Sequence, residues 1–154
     1  MTKVAAFVLA GLVLVWLAKN WWQRRSRERQ QDLFERAMEE FPRQTGLTEK
    51  FLTAANATGK PRGLRWISCE LQGQPIFATN DATDEIFGLS GATIGFEAIP
   101  GGDMEEVEAV GDIRYVTAIF QYRNDGWQTD GRAIFNLEPA QALAQLGETL
   151  KPKM

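Results

Sequence analysis

The chain has 154 residues, a net formal charge of -3 at pH 7, one cysteine and no histidine. Without histidine it forms neither a Ser-His-Asp triad nor a Cys-His dyad, and it lacks the imidazole ligands of common zinc and haem sites. The single cysteine, Cys69, excludes an internal disulfide, which agrees with a reducing compartment.

Charge is distributed unevenly along the chain. Residues 1–29 carry six basic side chains and one acid, whereas residues 70–148 carry fourteen acids and three arginines. The acidic part predicts that the protein does not bind nucleic acid, because such binding needs a basic face. It suits a basic protein partner, which electrostatic attraction would steer toward it.

An uncharged apolar stretch, residues 4–18, predicts a membrane-spanning helix. As a helix it rises only about 22 Å, but extension to Trp22 gives about 28 Å, close to the roughly 30 Å hydrocarbon core. A cleaved signal peptide is the alternative, although no small-x-small cleavage site follows the stretch. The anchor is predicted over residues 1–22, and its membrane-facing side chains are Val4, Phe7, Leu9, Leu12, Leu14, Trp16, Trp21 and Trp22.

A basic run follows the apolar stretch and predicts its orientation. Positive charge beside a span stays on the cytoplasmic side, where it attracts anionic lipid headgroups. The headgroup contacts are predicted at Arg24, Arg25, Arg27 and Arg29. The protein would therefore be a single-pass protein of the cytoplasmic (inner) membrane, with its amino terminus outside or periplasmic and its domain cytoplasmic.

Residues 23–59 are predicted to form juxtamembrane amphipathic helices. The first carries an apolar stripe between charged faces, made of Leu33, Phe34, Ala37, Met38 and Phe41. Pro42 ends this helix, and Thr48 is predicted to cap a second one that stops at Gly59. The stripe is expected either to pack on the domain's own sheet or to lie against a partner subunit or the membrane interface, the candidate partner contacts being Leu33, Phe34, Met38 and Phe41.

From residue 60 onward, β-rich segments alternate with turn signals, which predicts a domain over residues 60–154. Residues 64–71 and 76–79 are predicted to form a hairpin through the intervening Gln-Gly-Gln-Pro, and residues 92–99 to form a further strand.

The clearest hairpin joins residues 113–123 to residues 127–137. Asn124-Asp125-Gly126 lies between them, and these residue types tolerate the positive φ of tight turns. Pro139 opens a short final helix. The predicted fold is α+β, with an antiparallel sheet of four to five strands covered on one face by helices.

Four acids lie close together in the sequence: Asp103, Glu105, Glu106 and Glu108. Oxygen-rich clusters can bind Ca²⁺ or Mg²⁺, but this spacing lacks the alternating ligands of a calcium loop. We therefore predict no metal and no cofactor, and interpret these acids as a solvated sheet edge or a docking patch for a partner. Asp130 and Arg132 either pair with each other or hold an anionic ligand, and Gly131 between them permits a bulge or close packing.

Two segments, GGDMEEVEAVG at residues 101–111 and TDGRAIFNLEP at residues 129–139, resemble a segment of uncharacterised bacterial membrane-anchored proteins. The resemblance covers residues 63–140. It implies a shared domain without a known activity, and it transfers no site residue.

Three function classes follow from these patterns. The favoured one is a non-catalytic accessory or scaffolding subunit of a membrane protein complex, whose acidic domain docks on other membrane protein subunits. In this class no small-molecule ligand is expected. The alternative is a membrane-tethered binding module with a pocket for a small apolar or peptide ligand. A carboxylate enzyme that pairs Glu97 with Asp130 is the third class, although we predict that the protein is not an enzyme.

Overall fold

The computed structural model describes residues 2–59 and 61–153, and the side chains at positions 2–13, 108 and 109 lie outside the description. The chain divides into two compact units that meet between Arg36 and Ala37. The first unit is helical. Helix α1 spans Thr2–Glu40, so its last turn, which begins at Ala37, belongs to the second unit.

The predicted membrane anchor falls on α1. Among the residues that the structure describes, no helix combines the length and the apolar character needed to cross a membrane. The side chains of Val4, Phe7, Leu9 and Leu12 lie outside the description, so the anchor stays a prediction. The exposed side chains on the rest of the predicted anchor and basic run include Leu14, Trp16, Trp21, Trp22, Arg24, Arg25, Arg27 and Arg29.

One antiparallel sheet forms the centre of the second unit. Its strands are β1 (Leu64–Thr79), β2 (Ile86–Ala98), β3 (Arg114–Arg123), β4 (Gly126–Gln128), β5 (Ala133–Phe135) and β6 (Lys151–Pro152). Their order is β4-β3-β2-β1-β6, and β5 pairs with the first half of β3. With helices α2 (Leu47–Ala57) and α3 (Pro139–Gln145), the predicted α+β class is confirmed, with six strands instead of four to five.

The predicted hairpin around Gly73 is wrong. β1 continues through it, and both halves of β1 pair with β2, the register shifting between Gln72 and Ile76. Gly73 has φ +69° and lies within this register shift, so its positive φ forms part of a bulge and not of a chain reversal. The predicted strand at residues 92–99 is the second half of β2, which begins at Ile86.

The turn of the hairpin between β3 and β4 is confirmed, but the predicted strand over residues 127–137 is wrong, because it is divided into β4 and β5 with an irregular segment between them. Asn124 and Asp125 have φ of 51° and 54°, and Arg123 pairs with Gly126 across them. This is the two-residue turn that matches the twist of antiparallel strands. The predicted cap of α2 is wrong by two residues, because the helix begins after Gly46, whose φ is +75°.

Helices cover both faces of the sheet, where the sequence predicted one. The aromatic face, formed by Trp66, Phe96, Phe120 and Trp127, packs against Phe41 and Phe51 from the helical segments. The opposite face packs on α3 through a smaller cluster: Ala78, Leu89, Ala142, Leu143 and Leu150. Consecutive residues of a strand, such as Phe77 and Ala78, point to opposite faces of the sheet. Both are apolar here, because each face of the sheet packs against a helical layer.

Two side-chain amides form hydrogen bonds with main-chain groups of strands at the two sides of the sheet. The amide of Asn56 on α2 receives the Trp66 N–H and donates to the Trp66 carbonyl, both at 2.9 Å. Gln44 makes the same pair of bonds with the main chain of Trp127 on β4, at 2.7 and 2.8 Å. Each amide thus takes the place of one residue of a neighbouring strand.

Candidate binding groove

Three aromatic rings form an open floor on the aromatic face, at the end of the sheet where β1 and β3 begin. Trp66 lies 4.8 Å from Phe96 and 6.0 Å from Phe135, measured between ring centroids. Phe96 and Phe135 stack nearly parallel, 6.3 Å apart. Trp66 and Phe96 are buried, but Phe135 is 39% exposed, so this floor is partly open to solvent.

The floor lies at the bottom of a groove made of two adjoining cavities, with volumes of about 520 Å³ and 370 Å³. Both are lined by Pro61 and Phe135, which mark the boundary between them. The first cavity also has Thr58, Trp66 and the segment 130–133 in its wall; the second also has Leu64, Phe96, Met104, Val107, Val110, Arg114 and Asn136. These volumes suit amino-acid side chains or a small ligand.

The groove exists because α2 ends before it covers the whole aromatic face. Phe51 of α2 packs on Trp66 at 5.7 Å, and the helix stops at Ala57. On the other side, the chain between β4 and β5 bulges toward α2 at Gly131, whose φ is +77°. A Cβ at this position would meet the main chain of Ala55 and Ala54. The predicted close packing at Gly131 is therefore confirmed.

Exposed apolar side chains concentrate at the end of the sheet that carries the groove. Among the described residues of the second unit, the large exposed hydrophobic side chains are Met38, Ile67, Ile99, Val107, Ile113 and Phe135. All but Met38 lie near the end of the sheet that carries the groove, as the pairing of Leu64 with Ala98 and of Val116 with Phe135 shows. Of these residues, only Val107 and Phe135 line the groove itself, and exposed apolar side chains in such a groove mark an interaction surface.

The four predicted docking acids lie in the segment that forms one wall of the groove. We name residues 99–113, between β2 and β3, the acidic loop. Asp103, Glu105 and Glu106 are exposed there, while the side chain of Glu108 lies outside the description. The segment consists of turns and a short 3₁₀ helix, Glu108–Gly111, so it is not the predicted sheet edge.

Metal binding at this loop finds no support in the geometry. Across the part of the chain that is described, no group of three acidic, cysteine or histidine side chains is placed to hold a metal ion. Glu105 instead accepts a hydrogen bond from the Gly101 N–H at 2.8 Å, which fixes the start of the acidic loop.

The apolar stripe of α1 is divided between the two units. Leu33 and Phe34 belong to the first unit, and Met38 and Phe41 to the second. Met38 is 41% exposed and accessible to a partner. The ring of Phe41 packs edge-on against Trp127 at 5.0 Å and Phe120 at 5.4 Å, which assigns it to the domain's own core instead of a partner.

The carboxylate pair predicted for the enzyme alternative, Glu97 with Asp130, is not assembled. Glu97 pairs with Arg65 at 3.9 Å and, next to Phe96 on β2, points to the opposite face of the sheet from the groove that Asp130 lines. The Asp130 carboxylate accepts a hydrogen bond from the Arg132 main-chain N–H at 3.0 Å. Burial raises the pKa of the Cys69 thiol to about 11, so it stays protonated near neutral pH and is a poor nucleophile.

No protein-family model, no curated protein and no solved structure matches the chain. The groove is therefore the feature of the molecule that points to a function. Trp66 and Phe135 lie far apart in the sequence and become neighbours only through the sheet.

Proposed function

We propose that the chain is a membrane-tethered, non-catalytic docking module of a membrane protein complex, whose groove binds an apolar segment of a neighbouring subunit. The observation that carries this proposal is Phe135. Its ring stacks on Phe96 at the floor of the groove and remains 39% exposed. Covering such a ring and burying a partner's side chain against it stabilises a complex by about 1.5 to 3 kcal/mol.

The form of the groove favours a peptide segment over a compact small molecule. Two cavities lie on either side of the boundary made by Pro61 and Phe135. An extended segment places neighbouring same-side residues about 7 Å apart, so two of its side chains can occupy the two cavities.

Recognition through the groove also agrees with the capping of two strands by side-chain amides. A partner strand cannot pair with Trp66 or Trp127 without displacing the amides of Asn56 and Gln44, which already bond their main-chain groups. We therefore propose that side chains entering the groove provide the binding energy, rather than the addition of a strand at these positions.

The tether is supported by the sequence of the first unit. That unit carries seven basic and three acidic side chains, whereas the second carries ten basic and seventeen acidic ones. A basic segment beside an apolar stretch suits an anionic membrane surface, and an acidic domain is repelled by that surface. The second unit would thus remain accessible to protein partners on the cytoplasmic side.

Membrane anchoring predicts that the full-length chain remains in the membrane pellet after an alkaline carbonate wash of expressing cells. The change Leu12→Arg should release most of the protein, because an arginine in the middle of a span costs about 2.5 to 3.5 kcal/mol. Gln31→Arg adds the same charge outside the predicted span and should leave the protein in the pellet. Release of the unmodified chain by the wash would contradict the tether.

Groove binding predicts that an acetylated and amidated pentapeptide, with a central phenylalanine and two glutamines on each side, binds the full-length chain with a Kd on the order of 1 mM. The readout is NMR of methionine methyl groups labelled with ¹³C. Met104 lines the groove and should shift, whereas Met38, on the last turn of α1, should not. The change Phe135→Ser should weaken binding at least about tenfold.

The matched control for this experiment is Ile113→Ser. Ile113 is 71% exposed and lies just before Arg114, a residue of the groove wall, but its own side chain lines neither cavity. This variant should bind the peptide as the unmodified chain does. An unshifted Met104 signal at saturating peptide, or equal affinity of the Phe135 variant, would overturn the role of the groove.

A further inference from the structure

We infer that the segment bound by the groove carries basic side chains beside its apolar one, and that these face the acidic loop. This inference rests on the proposed docking function and specifies the chemistry of the partner. The acidic loop contributes residues both to the inside of the groove and to its outer rim.

The acidic loop contributes apolar side chains to the groove and acids to the solvent. Met104, Val107 and Val110 line the second cavity. Asp103 and Glu106, neighbours of these residues in the chain, are exposed to solvent. Asp103 directly precedes Met104 and Glu106 directly precedes Val107, so we place both carboxylates at the rim of this cavity, beside the residues that flank a ligand's apolar side chain.

The other charges near the groove leave the balance negative, even with the positive charge of Arg62, which is exposed beside Pro61. Arg114 lines the second cavity, and its guanidinium lies 3.7 Å from the carboxylate of Asp112, which reduces its positive field. Asp130 and Arg132 both line the first cavity, so their formal charges cancel. The second unit as a whole has seventeen acidic and ten basic side chains. Cations on a partner are favoured at such a rim, and anions are repelled.

The same charges distinguish a basic protein segment from a lipid surface. Ile99, Val107 and Ile113 are exposed apolar residues of the acidic loop that would have to enter a bilayer together with its acids. Anionic headgroups repel acidic side chains, so an acidic rim opposes binding to such a membrane surface. A basic peptide meets no such penalty.

The test compares three pentapeptides that have a central phenylalanine and, on each side of it, two lysines, two glutamines or two glutamates. We expect the lysine peptide to bind the full-length chain about fivefold more tightly than the glutamine peptide at low salt, from two rim ion pairs of ordinary strength. The glutamate peptide should bind more weakly than both. The preference should disappear in 1 M salt, where the Debye length is about 3 Å.

The variant Asp103→Lys/Glu106→Lys should abolish or reverse the preference for lysine, as measured by the shift of the Met104 methyl signal. Its control, Asp81→Lys/Glu148→Lys, changes the net charge equally at two exposed acids outside the acidic loop and should keep the preference. Equal binding of the lysine and glutamine peptides would refute the basic partner but leave groove binding intact. If none of the peptides binds, the proposed function itself fails.

Two further outcomes would also refute the basic partner. Tightest binding of the glutamate peptide would show that Arg114 and Arg132 dominate the field in the groove. Binding of the second unit to phosphatidylglycerol vesicles is tested with the full-length chain held in a detergent micelle. A shift of the Met104 signal by these vesicles, larger than that caused by the lysine peptide, would identify a lipid surface as the partner.

Discussion

The change Trp127→Ala should lower the free energy of unfolding of the second unit by about 4 to 5 kcal/mol, near the upper end for removal of a large core ring. Trp127 is fully buried. Its ring contacts Phe41 at 5.0 Å, Tyr122 at 5.4 Å and Phe77 at 5.6 Å, so its removal leaves a cavity among rings that cannot collapse together easily.

The indole of Trp127 also completes the end of a helix. Its N–H donates to the carbonyl of Ala37 at 2.9 Å, and this carbonyl belongs to the last turn of α1. Carbonyls in the last turn have no partner within their own helix. Without the indole, the Ala37 carbonyl loses a buried hydrogen bond, which adds about 1 kcal/mol or more to the cost.

Urea unfolding followed by near-ultraviolet circular dichroism would measure this loss. The change Trp127→Phe keeps an aromatic ring and removes only the N–H and part of the volume, so it should cost about 1 to 3 kcal/mol. Trp22→Ala, at a side chain that is 72% exposed, is the control and should leave the transition unchanged. Similar midpoints for the Trp127→Ala variant and the unmodified chain would show that Trp127 is not the centre of the core.

Features set by local chemistry could be predicted from the sequence. The turn at Asn124 and Asp125 is an example, because two residues with positive φ in a tight hairpin require side chains that tolerate this conformation. The end of α1 at Glu40, directly before Phe41-Pro42, is another. In both places a few adjacent residues determine the backbone.

The first half of β2 could not be predicted, because its residue types are set by contacts with residues that are distant in the sequence. Gly88 resembles a loop residue, but in the sheet it lies beneath the rings of Trp127 and Phe41, whose atoms come within 3.0 and 3.3 Å of the place of a Cβ. A glycine here makes room for the aromatic core. Gly73 is ambiguous in the sequence as well, because a bulge and a chain reversal both use a glycine with positive φ.

The groove could not be predicted from the sequence for a similar reason. Trp66 and Phe135 lie on β1 and β5, which the sheet brings to the same end through β2 and β3. The sequence did single out Asp103, Glu105, Glu106 and Glu108 as a docking patch, which remains a prediction. It contained no signal that Met104, within this acidic segment, would line an aromatic groove.

The change Gly131→Ala should lower the free energy of unfolding by about 3 kcal/mol or more, because it combines two costs. The φ of +77° is unfavourable for a residue with a Cβ, and that Cβ would meet the main chain of Ala55 and Ala54 on α2. Backbone atoms cannot rotate away, so either the bulge or the helix must move. Urea unfolding measures the loss.

Gly101→Ala separates these two costs. Gly101 has the same φ of +77°, but a Cβ there would meet nothing within 4 Å, so this variant should lose only about 1 kcal/mol. The added change Ala55→Gly should not rescue Gly131→Ala, because the Cβ meets main-chain atoms, which every residue has. Rescue by Ala55→Gly, or equal losses at Gly131 and Gly101, would refute the backbone contact. Since Gly131 also lines the first cavity, displacement of the bulge should weaken binding of the phenylalanine peptides, whereas Gly101→Ala should leave that cavity unchanged.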